Sequence, residues 1–500
     1  MERGIAEAQA GAGHSAAWRA AVVAGAAAGA IVTGYVASSD PEFLHFQPSA
    51  LDVAVLTGAL GLGAVLVWRP ALAVMALVLV VYLNLSDALV RWHGAPSVLQ
   101  ALAVPLLLAA WVVQRERGAG RGPWPAGLTM WLAAYALMLW LSTAWARDAA
   151  LGSERAFAIT KAFVIYGLVL LLMNSPGRFR LGAWTLVAAA VLVGALGVFQ
   201  ALAGSYDQTF AGLARVEHAH IYGRVFESRI AGPVGDPNFF AQMLIPAVPI
   251  ALFLGGSASS VRERVVAFAS AAVVTAAVVM TYSRGGALAL GAVLALWLLG
   301  RGVSARQFAG GAAALLLLVL LLPQAFARRL TTFRQFLPGS ADVLRLDSSF
   351  EQRRVLVTTA WHMFLDHPLT GVGAANYTVY YRPYTEATGS VVLEYEDFDA
   401  PHFPHNLYLE VAAETGLPGL IIFTAALVIC FLYLQRARLR FRWIGDGSSA
   451  SLATAVQLAL IGYLASSLFL HGHFPRYLWL LFGFSAALYR LAPLRAEVEP

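Results

Sequence analysis

Apolar runs long enough to cross a bilayer, which takes about 20 residues, recur from one end of the chain to the other. They fall near 17–36, 50–68, 71–90, 98–114, 125–145, 158–173, 181–203, 238–256, 264–282, 285–300, 307–323, 416–435, 451–470 and 476–492. The pattern predicts an all-α, polytopic integral membrane protein of about 12–14 transmembrane helices, with the short runs 98–114 and 158–173 open to a re-entrant reading. Small residues inside the runs, as in AVVAGAAAGA and GALGLGA, suit close packing of one helix on another.

Two polar interruptions are too long to be simple turns, 204–236 and 324–415. The chain therefore divides into a multispanning region 1–203, a loop 204–237, a transmembrane core 238–323, a large polar loop 324–415 and C-terminal helices with a tail, 416–500. Within the large loop, DSSFEQRRVLVTTAWHMFLDH (347–367) sets Val355, Ala360, Met363 and Phe364 on one face of an amphipathic helix. His367-Pro368 closes that helix and the following Gly-Val-Gly allows a bend.

Composition strengthens the membrane reading. The chain is 59% hydrophobic and 12% charged, whereas a soluble domain carries about 25% charged residues. No stretch has the balance of a separate soluble catalytic domain. The start, MERGIAEAQAGAGHSAAWRA, reads as a cytoplasmic tail rather than a signal peptide. Cys430 is the single cysteine, so an intrachain disulfide is excluded.

The net charge of +6 comes from arginine, Lys161 being the one lysine. Those arginines sit in short connections, which favours a topological role over nucleic-acid binding. With a cytoplasmic N-terminus, Arg69, Arg115, Arg117, Arg121, Arg178, Arg180, Arg262, Arg264, Arg301, Arg306, Arg436, Arg438, Arg440, Arg442, Arg490 and Arg495 share the inner side. Arg91, Arg147 and Arg155 fall outside. Both termini are then cytoplasmic, and both long loops lie on the outer face.

Four outer stretches carry candidate chemistry. In RIAGPVGDPNFFAQML (229–244), Asp236-Pro237-Asn238 has the form of a helix start, and Arg229 beside glycines suits an anion. In TYSRGG (281–286), Arg284 departs from the positive-inside pattern where glycines permit exposed amides. The third stretch holds Arg353 and Arg354 at the start of the amphipathic helix, followed by Tyr377 and Tyr381, whose rings suit either sugar stacking or the membrane interface. In PHFPHNLYLEVAAETGLPGL (401–420), His405 can take a proton near neutral pH, and Glu410 and Glu414 share one helix face. Spacing does not choose which carboxylate would orient the histidine. His218 with His220 and His471 with His473 form H-x-H pairs without completing a zinc spacing.

These elements together resemble the O-antigen ligase and polymerase superfamily of bacterial envelope glycosyltransferases. The likeness rests on His405-Asn406, nine intervening residues, then Gly416-Leu417-Pro418-Gly419, with RIAGPVGDPN, TYSRGG and the arginine-bearing helix leading to HPLTGVG; it runs from roughly 229 to 435. Leu420 stands where many lipopolysaccharide ligases carry a small or branched residue.

The resemblance implies a GT-C-like fold in the bacterial inner membrane, with a periplasmic cavity beneath the large loop. It implies a donor glycan on undecaprenyl diphosphate, and as acceptor either lipid A-core sugar or another lipid-linked glycan. No cofactor, nucleotide sugar or metal is expected; a flippase and a chain-length regulator would act in the same pathway, amid membrane lipids and without nucleic acid. Carried onto this sequence, His405 is the base of an inverting transfer, Arg229 and Arg284 hold the diphosphate with Arg353 or Arg354, and Asn406, Glu410, Glu414, Tyr377 and Tyr381 position the acceptor or loop. A lipid-glycan transporter and a non-enzymatic envelope assembly role are the competing classes. A transporter should line a path through the membrane with charge, and few charges lie mid-span here.

Overall fold

A computed structural model describes residues 65–66, 68–93, 106–110, 112, 122–221, 224–300, 348–387 and 402–493. The apolar runs 17–36 and 307–323 lie outside the described residues, and 50–68 and 98–114 lie largely outside them. In chain order the elements are α1 (Pro70–Tyr82), α2 (Leu85–His93), α3 (Ala126–Ser142), α4 (Ala149–Leu172), α5 (Pro176–Ala203), β1 (Arg215–Ile221), β2 (Arg224–Gly232) and α6 (Pro237–Leu244). They continue with α7 (Ala247–Gly256), α8 (Val261–Met280), α9 (Arg284–Leu299), α10 (Ser348–Asp366), α11 (Tyr377–Ala387), α12 (Leu407–Trp443), α13 (Gly447–Ser466) and α14 (Pro475–Leu491).

Among the described residues, six helical stretches are long and apolar enough to cross a membrane: α4, α5, α6 with α7, α8, α12 and α13. The chain is thus largely helical, with the character of a polytopic membrane protein. Polar residues set where several helices begin. Asp148, Ser175, Asp236, Ser260, Asn406 and Asp446 each accept backbone amides of the first turn of the helix that follows. Proline stands first in α5 and α6, where its missing amide costs nothing.

The structure departs from the sequence reading in four places. The run 71–90 is not one straight span: α1 and α2 meet at 61°, across Asn84 at φ 54°. Asparagine tolerates this left-handed conformation, and its amide donates to the Pro233 carbonyl at 3.0 Å. The run 158–173 begins earlier, at Ala149, so Arg155 lies inside α4 rather than in an outer loop.

Loop 204–237 is not all helix and turn. It folds as an antiparallel hairpin of β1 and β2, an exception to the expected all-α class. Its strand segments, RVEHAHI and RVFESRIAG, lack the continuous apolar run that marks a span. The helix expected from about 416 instead begins at Leu407 and breaks at Gly416 (φ 64°, ψ −166°).

That break is where the large loop is attached. Leu417 N–H donates to the Pro368 carbonyl at 2.7 Å, Val372 N–H to that of Ala413 at 2.9 Å and Gly373 N–H to that of Glu414 at 3.0 Å. Two backbones meet here with no room for side chains: a Cβ on Gly371 would lie 2.3 Å from the Glu414 carbonyl carbon, and one on Gly416 2.8 Å from the Pro368 oxygen. Gly416 also occupies backbone space that is essentially glycine-only. Gly416→Ala is therefore expected to cost about 3 kcal/mol, read as a lowered thermal midpoint. Gly291→Ala, in α9 with open space around it, should leave that midpoint nearly unchanged.

The core is formed mainly by α14 against α4, α12 against α3 and α13, and α5 against α1 and α8. A smaller cluster of Leu356, Ala360, Met363, Val372, Tyr377, Tyr381 and Ala413 holds α10 and α11 onto the first turns of α12. In this way the amphipathic loop helix buries its apolar face on the helix that starts at His405-Asn406.

Candidate active site

The N-termini of α6, α9 and α12 converge beside the turn between α13 and α14. Each is fixed by its own sequence. Asp236 Oδ1 accepts from Asn238 N–H (2.7 Å) and Phe239 N–H (3.0 Å), and Ser283 Oγ accepts from Gly286 N–H (3.2 Å). Asn406 Oδ1 accepts from Tyr408 N–H (3.1 Å) and Leu409 N–H (3.0 Å). The other end of the Asn406 amide donates to the Leu468 carbonyl at 3.2 Å, and Leu407 N–H donates to that of Ser467 at 3.0 Å. Helix N-termini carry partial positive charge, so their convergence favours an anion.

A small recess lies where α6 and α9 begin, lined by Asn238, Ser283, Gly285, Gly286, Arg353, Ser466, Phe469 and Leu470. Glycine is required there: a Cβ on Gly286 would lie 2.7 Å from that of Ala241, and one on Gly285 2.9 Å from the Phe469 ring. Arg353, from α10, is partly buried at this recess, whereas Arg354 beside it is exposed. Arg284, partly buried, is the first residue of α9.

Arg229 is 9% exposed and is engaged on three sides. Its Nε donates to the Thr281 carbonyl (3.1 Å), Nη2 to Asn238 Oδ1 (3.4 Å) and Nη1 to Glu217 (3.3 Å). It thereby ties β2 to the end of α8 and the start of α6, and sets where Asn238 stands at the recess.

His405 stands just before the Asn406 cap at φ 46°, a conformation that is uncommon outside glycine, asparagine, aspartate and histidine. Its Nδ1 is buried with no hydrogen-bond partner. Burial, followed by the positive charge of Arg353, pushes its pKa down to about 4, with Asp236 opposing and His402 adding to the fall. The shift favours the uncharged imidazole at neutral pH.

The expected carboxylate partners are placed elsewhere. No hydrogen bond joins His405 to Glu410 or Glu414 among the described residues. Glu410 accepts from Arg155 Nη2 and from Gly472 N–H, both at 2.5 Å, and Arg155 Nη1 donates to the Gly472 carbonyl at 2.8 Å. The pair thus holds the two peptide groups that flank the Gly472 Cα in the α13–α14 turn. Glu414 instead accepts from the amides of Ala375 and Tyr377, which fixes the large loop. The carboxylate whose field reaches His405 is that of Asp236.

Gly472 lies between His471 and His473, and the first of these stands over His405. The His471 ring stacks on Phe403 at 4.2 Å, stands edge-on to His405 at 5.4 Å and meets Phe239 at 5.1 Å. Sequence reasoning treated His471 and His473 only as a possible metal pair, and read Arg155 as an outside arginine. Its departure from the charge pattern was the available signal.

Tyr377 and Tyr381 are 0% and 2% exposed. Tyr377 donates its hydroxyl to the Leu356 carbonyl at 2.8 Å, and the Tyr381 ring stacks on His402 at 4.4 Å. Neither offers a free face to a sugar; Tyr377 joins α11 to α10, and Tyr381 packs on His402.

The acid behaviour of this cluster follows from its burial. His471 is also pushed well below the ordinary histidine range, first by burial and then by the His405, His473 and Arg155 charges. Between the ordinary value of 6.5 and the folded value near 4 for His405, the unfolded chain binds more protons, so stability falls as pH is lowered through that window. A single shift of this size corresponds to about 3 kcal/mol. The thermal midpoint should drop between pH 6.5 and 4, and His471→Phe, which keeps the stacked ring, should flatten the slope.

A search of curated proteins finds no match to the chain. Residues 268–424 match the family model described as O-antigen ligase, a part of the chain that runs from within α8 to within α12 and takes in Arg284, Arg353, His405 and the Gly416 break.

Proposed function

We propose that the chain is a membrane glycosyltransferase of GT-C-like architecture that moves a glycan from undecaprenyl diphosphate to an acceptor sugar hydroxyl on the outer face. The observation that carries this reading is the juxtaposition of His405, neutral and unbonded at Nδ1, with an arginine-bearing recess at converging helix N-termini. One group suits proton abstraction; the other suits a diphosphate.

In the proposed reaction the acceptor hydroxyl attacks the anomeric carbon as its proton passes to His405, and the C–O bond to the lipid diphosphate breaks with inversion. The leaving diphosphate keeps the bonding pair, stabilised by Arg284, Arg353 and the amides at the start of α9. Arg229 acts through the Asn238 that it holds, and Arg354 lies further out on α10. A bound diphosphate would counter the Arg353 charge and raise the His405 pKa toward the operating pH, where a general base is most effective. No further acid is required, because diphosphate is a good leaving group.

The test is product mass from the purified chain in lipid with an undecaprenyl-diphosphate glycan, with and without lipid A-core. Longer lipid-linked glycan without the core acceptor identifies a polymerase, and a mass shift of the core identifies a ligase. Failure to form either product from a range of bound glycans contradicts transfer. In the same assay, Arg353→Gln should weaken donor binding about tenfold or more, since a charge-assisted phosphate contact contributes roughly 1.5–3 kcal/mol. Arg354→Gln should have a smaller effect.

A further inference from the structure

The far end of α12 from His405 carries a second arginine cluster. Arg438 and Arg442 stand one helical turn apart and border a cavity of about 590 Å³ between α7, α9, α12 and α13. Its walls are apolar at Phe253, Leu296, Leu458 and Ile461, while Ser451, Thr454 and Gln457 set a polar stripe along α13. Arg438 Nε is buried without a hydrogen-bond partner. Among the described residues no carboxylate forms an ion pair with either arginine. Arg440, between them in sequence, is engaged differently: its guanidinium lies over the Tyr489 ring at 4.9 Å.

We propose that this cavity binds an anionic phospholipid, with its phosphate between Arg438 and Arg442 and an acyl chain along α13 toward Ile461. Two neighbouring guanidiniums repel each other, and a phosphate between them turns that repulsion into paired, geometrically matched contacts. The cavity has the size of a small-molecule site. Its lining on α13 extends from Gly447 to Ile461, about 21 Å at the helical rise. One leaflet of hydrocarbon is about 15 Å deep, so the cavity has the reach of a lipid tail, which a free anion would leave empty. Arg438 and Arg442 border it within a run that also holds Arg436 and Arg440, the kind of juxtamembrane cluster that attracts anionic headgroups.

The experiment is native mass spectrometry of the delipidated full-length chain, titrated separately with phosphatidylglycerol, phosphatidylcholine and inorganic phosphate. One phosphatidylglycerol should bind at least tenfold more tightly than phosphatidylcholine. Arg438→Gln with Arg442→Gln should weaken it about thirtyfold, from roughly one headgroup interaction per arginine. Arg436→Gln, an exposed position on the same helix outside the cavity, should leave the tight site intact. Ser451→Trp keeps both charges but fills the cavity, and should also abolish tight binding; it decides the question if the double variant does not fold. Equal binding of the two lipids, unchanged binding by the double or Ser451→Trp variant, or displacement of the lipid by millimolar phosphate would overturn the assignment.

Discussion

His405→Ala (H405A) is expected to lower glycan transfer about a hundredfold to ten-thousandfold, the range for loss of a positioned general base, while donor binding changes little. The reason is geometric. His405 is held at φ 46° directly before a helix whose start is fixed by Asn406, and its Nδ1 is buried without a hydrogen-bond partner. An imidazole with an unbonded ring nitrogen at such a place fits the base proposed above. Product formation and donor affinity, measured on the same preparation, separate loss of chemistry from loss of binding. A variant that transfers within threefold of the native rate would show that the base lies elsewhere.

Arg155→Met is expected to destabilise the protein by about 3–5 kcal/mol, because it leaves Glu410 buried and unpaired. Glu410 has a 5% exposed side chain and Arg155 one of 18%, and they hold the Gly472 N–H and carbonyl respectively. The variant should therefore also loosen the turn that carries His471 and His473, reducing turnover more than donor affinity. Adding Glu410→Leu removes the orphaned charge and should recover much of the thermal midpoint without restoring the turnover rate. Recovery of both would mean that the pair serves stability alone. A thermal midpoint unaffected by Arg155→Met would remove the clamp from the account.

Much of this site was legible where a local rule governs a local result. Asp236-Pro237-Asn238 marks a helix start because capping depends on residues within one turn, whereas the caps at Ser283 and Asn406 emerge only in the structure. The amphipathic helix could be placed because its apolar positions recur on one face. The remaining features depend on contacts distant in sequence. Arg155 and Glu410 are separated by 255 positions, so the charge pattern could flag Arg155 as unusual without supplying its partner. The roof that His471 forms over His405 depends on how the α13–α14 turn docks, and the burial of Tyr377 and Tyr381 on which face of α11 meets α10. The hairpin in loop 204–237 was missed because a search for long apolar runs passes over short, polar strands. Gly416 was recognised in the motif, but its role as the contact between loop and helix follows only from the opposing backbone at residues 368–371.

The most direct measurement is the titration of His405 by NMR in the native chain with histidine-selective labelling, in nanodiscs, before and after saturation with an undecaprenyl-diphosphate glycan. The account predicts an uncharged imidazole at neutral pH, titrating near 4 in the free protein and at a distinctly higher pH once the diphosphate lies beside Arg353. A histidine that titrates at its ordinary value in the free protein, or one that does not respond to the donor, would contradict it.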